Sequence, residues 1–133
     1  MSVHAREVGL VGASGGSLGV LGEELAANYL ESVGFVVLER NFRRKTGEID
    51  VVARDGDTVV FVEVKTRRSG RFGWAVEQVT AGKRRRLVRT ALAYVVERGM
   101  AGAECRFDVV AVDIRPVGPP AISLIKGAFD CRR

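Results

Sequence analysis

From Leu18 to Val33 the apolar positions Leu21, Leu25, Ala26, Tyr29, Leu30 and Val33 recur at about 100° per residue, the spacing of a helix with one buried face. Gly34 supplies a natural stop. The pattern then turns to strands over Phe35–Phe42, Glu48–Ala53 and Thr58–Thr66, the last two flanking Arg54-Asp55-Gly56-Asp57. Asp-Gly between such runs is a strong hairpin signal, so these strands are expected as antiparallel neighbours. A second helix is expected over roughly Thr80–Arg98, capped by Thr80, with Leu87, Val88, Ala91, Leu92 and Val95 as its apolar stripe. Arg106–Ile114 reads as a further strand, Pro116–Pro120 as a rigid turn, and Ala121–Ile125 as a short edge strand. The order is αβββαββ, an α/β fold.

Ahead of the first helix, glycines 9, 12, 15 and 16 mix with Ala13 and Ser14, so residues 1–17 read as a flexible glycine-rich lead and 18–133 as a single domain. That lead has neither GxGxxG nor a GK[ST] ending, which argues against a nucleotide loop. The 133 residues, 47% of them hydrophobic, suit one compact core rather than disorder.

Composition narrows the chemistry. With two cysteines 26 positions apart, Cys105 and Cys131, and a single histidine, His4, a Cys/His zinc site or a Ser-His-Asp triad has too few residues to build on. No apolar run approaches the roughly 20 residues of a membrane helix, so a cytoplasmic protein with reduced cysteines and no membrane partner is expected. Lys and Arg total 21 against 16 Asp and Glu, a formal +5, which favours a polyanionic partner.

Side chains alternate across a strand, so Phe61, Glu63 and Lys65 share one face and Val60, Val62 and Val64 the other. With Asp55-Gly56 as the two-residue turn, Arg54 would face Asp57, Asp50 would face Phe61 and Glu48 would face Glu63. Three carboxylates and one ammonium then converge in strands rich in Val and Phe, where unpaired charge is costly. A hard divalent cation, Mg²⁺ or Mn²⁺, would compensate them, lower the pKa of a bound water and clamp a phosphate oxygen. Lys65 could orient or deprotonate that water, or stabilise the transition state. Glu23 borders the apolar face of the first helix, able to look into a cleft, whereas Glu24 points to solvent.

These residues carry a resemblance. Gly22-Glu23, Gly47-Glu48-Ile49-Asp50, the run Phe61–Arg67, Phe72-Gly73, Val79-Thr80 with Lys83, and Arg106-Phe107-Asp108 resemble the YraN-like family of small bacterial proteins over roughly residues 18–129. That family is similar to the PD-(D/E)xK nucleases, which have a restriction-endonuclease-like mixed β-sheet flanked by helices, and most closely to archaeal Holliday-junction resolvases. The resemblance implies that Asp50 and Glu63 ligate the metal, with the Val64 carbonyl as a further ligand. It also implies Lys65 as the catalytic lysine and Glu23 as the helix carboxylate completing the site. The superfamily's proline before the aspartate is absent here, where Glu48-Ile49-Asp50 stands; Gln78 lies near a polar helper position of some relatives.

Between Arg67 and Arg89 the basic residues Arg67, Arg68, Arg71, Lys83, Arg84, Arg85, Arg86 and Arg89 face only one acid, Glu77. Such concentration directly after the ExK strand suits phosphate contacts, foremost from Arg67, Arg68, Arg71, Lys83, Arg86 and Arg89, with Arg43, Arg44 and Lys45 adding to it. Phe72 and Trp74 could stack on unpaired bases, and no recognition-helix motif is visible. Two functions remain: a metal-dependent endonuclease acting on DNA, with branched or structured DNA in repair or recombination among its candidate substrates, and a non-catalytic nucleic-acid-binding module that keeps the nuclease fold. Monomer and homodimer are both open.

Overall fold

The computed structural model describes residues 18–68 and 79–129. Its elements are α1 (Leu18–Ser32), β1 (Val36–Arg44), β2 (Gly47–Asp55), β3 (Thr58–Arg68), α2 (Ala81–Glu97), β4 (Glu104–Ile114) and β5 (Ala121–Phe129). The expected αβββαββ order is the observed one. Gly34 takes φ of 101° and Gly99 φ of 69°, the left-handed conformation that ends a helix without a Cβ penalty. At the start of α2 the Thr80 hydroxyl accepts the Lys83 N–H at 3.2 Å, the expected cap.

The five strands form one sheet in the order β1-β2-β3-β4-β5, antiparallel except for the β3–β4 pair, which is parallel and connected through α2. One helix packs on each face. Against α1, residues Leu21, Leu25, Ala26 and Leu30 meet Val51, Val60, Val62 and Val110. Against α2, residues Leu87, Ala91, Tyr94 and Val95 meet Phe42, Phe61 and Phe107. The face of β3 carrying Phe61, Glu63 and Lys65 is therefore covered; Phe61 is 2% exposed and Glu63 7%.

The hairpin register differs from expectation by two residues. Asp55 pairs with Thr58 and Val52 with Phe61, so Gly56-Asp57 form the turn, with Gly56 in the left-handed region at φ of 61°. Asp55 is held in the strand by Arg106 of β4, whose Nη2 donates to its carboxylate at 2.9 Å. Asp50 does not face Phe61, and Glu48 pairs with Arg43 of β1 instead of facing Glu63. A two-residue slip preserves parity within the ladder, so Val52 and Phe61 stay on one side of the sheet and Val51 and Val62 on the other.

Every strand runs past an end of its sequence pattern, β2 to Asp55, β3 to Arg68 and β4 back to Glu104 among them. β1 continues through Arg43 and Arg44, which pair with Glu48 and Glu97, leaving only Lys45-Thr46 in the turn. β5 extends to Phe129, whose ring stacks on Phe107 at 4.7 Å between centroids. Gly127, at φ of 60°, absorbs the irregularity that ended the pattern, and its N–H donates to the fully buried Asp108 at 2.9 Å. Arg106 closes a bidentate pair with the same carboxylate at 2.8 and 3.0 Å. Arg106-Phe107-Asp108 is thus a structural clasp at the hairpin end of the sheet.

Candidate active site

The β2–β3 ladder runs from Asp55↔Thr58 to Val51↔Val62, whereas β3 continues pairing with β4 as far as Arg68↔Ile114. Beyond Val51 the two strands fork. At that point Asp50 Oδ2 accepts the Val64 N–H at 2.8 Å, so a side chain satisfies a backbone donor that has lost its strand partner.

The fork is built by a break in alternation. Phe42 and Ile49 pack toward α2, but Val51, two residues from Ile49, packs toward α1. Asn41 accommodates the turnover at φ of 57°, a conformation that asparagine tolerates better than most residues. With its amide nitrogen turned to the carboxylates, Asn41 donates to Glu23 Oε1 at 3.0 Å and Glu48 Oε2 at 2.9 Å. The opposite orientation would set its oxygen against both.

Glu23 reaches this place because Gly22 lets α1 lie on β3. A Cβ on Gly22 would stand 1.7 Å from Thr66 Oγ1 and 2.7 Å from Thr66 Cβ, so no larger residue fits without moving the helix. Glu24 is exposed and paired with Arg40 at 3.1 Å, as its outward position led us to expect.

Opposite Asp50, the Glu63 carboxylate holds two ammonium groups on one oxygen: Lys83 Nζ at 2.5 Å and Lys65 Nζ at 3.4 Å. Lys65 comes from the same strand face, and Lys83 from the first turn of α2. Asp50, Glu63, Lys65 and Glu23 are thus gathered around one fork, with Glu48 beside them.

The charge states follow from this crowding. Burial pushes the Asp50 carboxyl up to about 7, and the charges of Glu63, Glu23 and Glu48 add to the rise against the Val64 hydrogen bond. Glu23 is raised by burial and then by Glu48, with Arg40, Asn41 and Asp50 opposing. Lys65 lies below the ordinary lysine value through burial and the neighbouring Lys83, despite Glu63. For Lys83, burial works against the charge, but hydrogen bonds to Glu63 and Lys65 and the charges of Glu63 and Asp50 outweigh it, and its pKa is raised.

Among the described residues, no three Asp, Glu, His or Cys side chains are placed as a metal-holding group. The reason is visible: Glu63 is turned onto its lysines, and Glu23 and Glu48 onto Asn41. The carboxylates gathered at the fork are nevertheless hard oxygen donors, the ligand type that Mg²⁺ or Mn²⁺ takes.

Of the expected phosphate contacts, Arg68, Arg86 and Arg89 are exposed, Arg67 is partly buried in register with Asp113 of β4, and Lys83 is committed to Glu63. Arg71, Phe72, Trp74, Gln78, Cys131 and the glycine-rich lead lie outside the described residues. Sequence reasoning missed Asn41, for which an asparagine interrupting a strand was the available signal, and the engagement of Lys83 with Glu63, which has no local signal. It also missed Asp113, 3% exposed, whose carboxylate oxygens meet no hydrogen-bond donor among the described residues.

A mixed five-stranded sheet with one helix on each face and an Asp, Glu-x-Lys fork is an α/β architecture consistent with the restriction-endonuclease-like class. Within it the chain belongs to the Uncharacterised protein family UPF0102, the YraN-like family, whose pattern matches residues 22–112. Similar UPF0102 proteins occur in Geobacter sulfurreducens, 48% identical over 85% of this chain and 88% of the relative, and in Syntrophus aciditrophicus, 48% identical over 84% and 87%. Another, in Moorella thermoacetica, is 49% identical over 84% of this chain and 93% of its own length. Among the described residues no helix is long and apolar enough to cross a membrane.

Proposed function

We propose that this protein is a metal-dependent endonuclease that hydrolyses phosphodiester bonds of DNA in the cytoplasm. The observation supporting this most strongly is the fork itself, where Asp50, Glu63, Lys65 and Glu23 meet from two strands and a helix. Mg²⁺ or Mn²⁺ would be held by Asp50, Glu63 and the Val64 carbonyl, and when bound supplies an acidified water and a clamp on a phosphate oxygen. Lys65, with its pKa lowered by burial, stands where it can orient the attacking water or take its proton. Glu23 adds a carboxylate from α1 to position the same water. Lys83, Arg86, Arg89, Arg67, Arg68 and Arg71 hold the flanking phosphates, a contact that reads backbone shape rather than sequence. That fits structured or branched DNA better than a base-specific site.

Incubation of purified protein with labelled linear, flapped and four-way DNA in Mn²⁺ tests the reading. Cleavage is expected for the wild type and not for Asp50→Ala or Lys65→Ala; no cleavage of any substrate by the wild type would reject it. The second reading, a non-catalytic binding module, is favoured by the lysines occupying Glu63. It requires salt-sensitive DNA binding that neither Mn²⁺ nor Asp50→Ala alters.

A further inference from the structure

The two halves of the fork are unequally balanced. On one side Glu23 and Glu48 accept from the Asn41 amide and Glu48 also pairs with Arg43, while Asp50 accepts the Val64 backbone N–H. On the other, one carboxylate oxygen of Glu63 is served by two ammonium groups. Lys83 makes the shorter contact, and its backbone is fixed by the Thr80 cap, so the ammonium is delivered from a rigid first turn. Its side chain stays about one-third exposed, leaving a route to solvent, whereas Glu63 keeps only 8% exposure.

We propose that Lys83 is a resident counter-ion occupying the metal-facing carboxylate of Glu63, displaced when the cation binds and thereby released to contact a substrate phosphate. The inference rests on the nuclease reading above and adds its regulation. The Lys83 ammonium hydrogen-bonds Glu63 and acts on Asp50 only through its charge, so its one positive charge is divided between two carboxylates. A divalent ion shared by Asp50 and Glu63 would balance both halves, and would then repel an ammonium beside it. The freed Lys83 lies in the first turn of α2, one helical turn before the exposed Arg86. Metal and polyphosphate ligand should therefore each raise the other's affinity, as any coupling through a shared element must be reciprocal. Lys65, held more loosely on Glu63 and extending from the same strand, keeps its catalytic place in this scheme.

Calorimetric titration of the full chain with Mn²⁺, without DNA, tests this apart from any cleavage. Lys83→Met is expected to bind Mn²⁺ about tenfold more tightly than wild type, the size expected for removing one ammonium facing a divalent ion under water-like screening. Arg85→Met, at an exposed position of the same helix, should leave Mn²⁺ affinity unchanged. In the second arm, Mn²⁺ should tighten binding of a short duplex DNA by the wild type, and this gain should shrink in Lys83→Met. Equal or weaker Mn²⁺ affinity in Lys83→Met, with wild-type binding that Asp50→Asn abolishes, would overturn the counter-ion role while sparing the nuclease reading. Failure of both wild type and Lys83→Met to bind Mn²⁺ would overturn the two together.

Discussion

Asp50→Asn should make the metal-free protein more stable at neutral and alkaline pH. The Asp50 carboxyl titrates near 7 in the folded chain against an ordinary value of 3.8, because burial and then Glu63 disfavour its charge. A carboxyl whose pKa is raised on folding gives full stability below its unfolded pKa, and loses it as pH rises through the folded one. The loss therefore accumulates between pH about 4 and 7. The rise from 3.8 to about 7 corresponds to an upper bound of about 4 kcal/mol above pH 7. Asparagine mimics the protonated state, keeps an acceptor for the Val64 N–H, and can donate to the surrounding carboxylates. Urea denaturation in EDTA at pH 4 and pH 8 is the assay. Wild type and variant should be of similar stability at pH 4, and the variant should lead by about 1–4 kcal/mol at pH 8. Added Mn²⁺ should stabilise the wild type and leave the variant unmoved, since ligands raise stability only by binding the folded state. A variant less stable than wild type at pH 8 would refute the claim that Asp50 is an uncompensated charge.

Three further outcomes are open to measurement. Gly22→Ala should cost about 1–3 kcal/mol in chemical denaturation, because its methyl overlaps Thr66 and α1 must move; an unchanged midpoint would show that the helix slides freely. Arg106→Met should cost about 3–5 kcal/mol by leaving the buried Asp108 charge with only the Gly127 N–H, while Mn²⁺ affinity of the folded fraction stays unchanged because the clasp lies away from the fork. Asp113→Val should raise stability by about 1–3 kcal/mol, since among the described residues neither carboxylate oxygen has a hydrogen-bond donor; destabilisation would reveal a partner for the carboxylate.

The periodicity of α1 and α2 and the Asp-Gly signal were enough to read the element order, because each depends on local chemistry that a single chain displays. Register was not, since the Gly56-Asp57 turn goes with Arg106 of β4 reaching Asp55 of β2 across the one strand between them. Asp50 and Glu63 come near each other through the fork and not through parity, since alternation breaks between Ile49 and Val51. Glu23 could be placed at a border by helical geometry, yet its approach depends on Gly22 resting on Thr66, a tertiary contact. Lys83 showed its charge in the sequence but not its partner: twenty residues separate it from Glu63, and only the packing of α2 on the sheet joins them.

Crystals of the protein soaked in Mn²⁺ and measured at the manganese absorption edge would test the central claim most directly. The expected result is an anomalous peak between the Asp50 and Glu63 carboxylates, with the Lys83 ammonium withdrawn from Glu63. A fork without manganese at saturating concentration, Glu63 still clasped by both lysines, would contradict it.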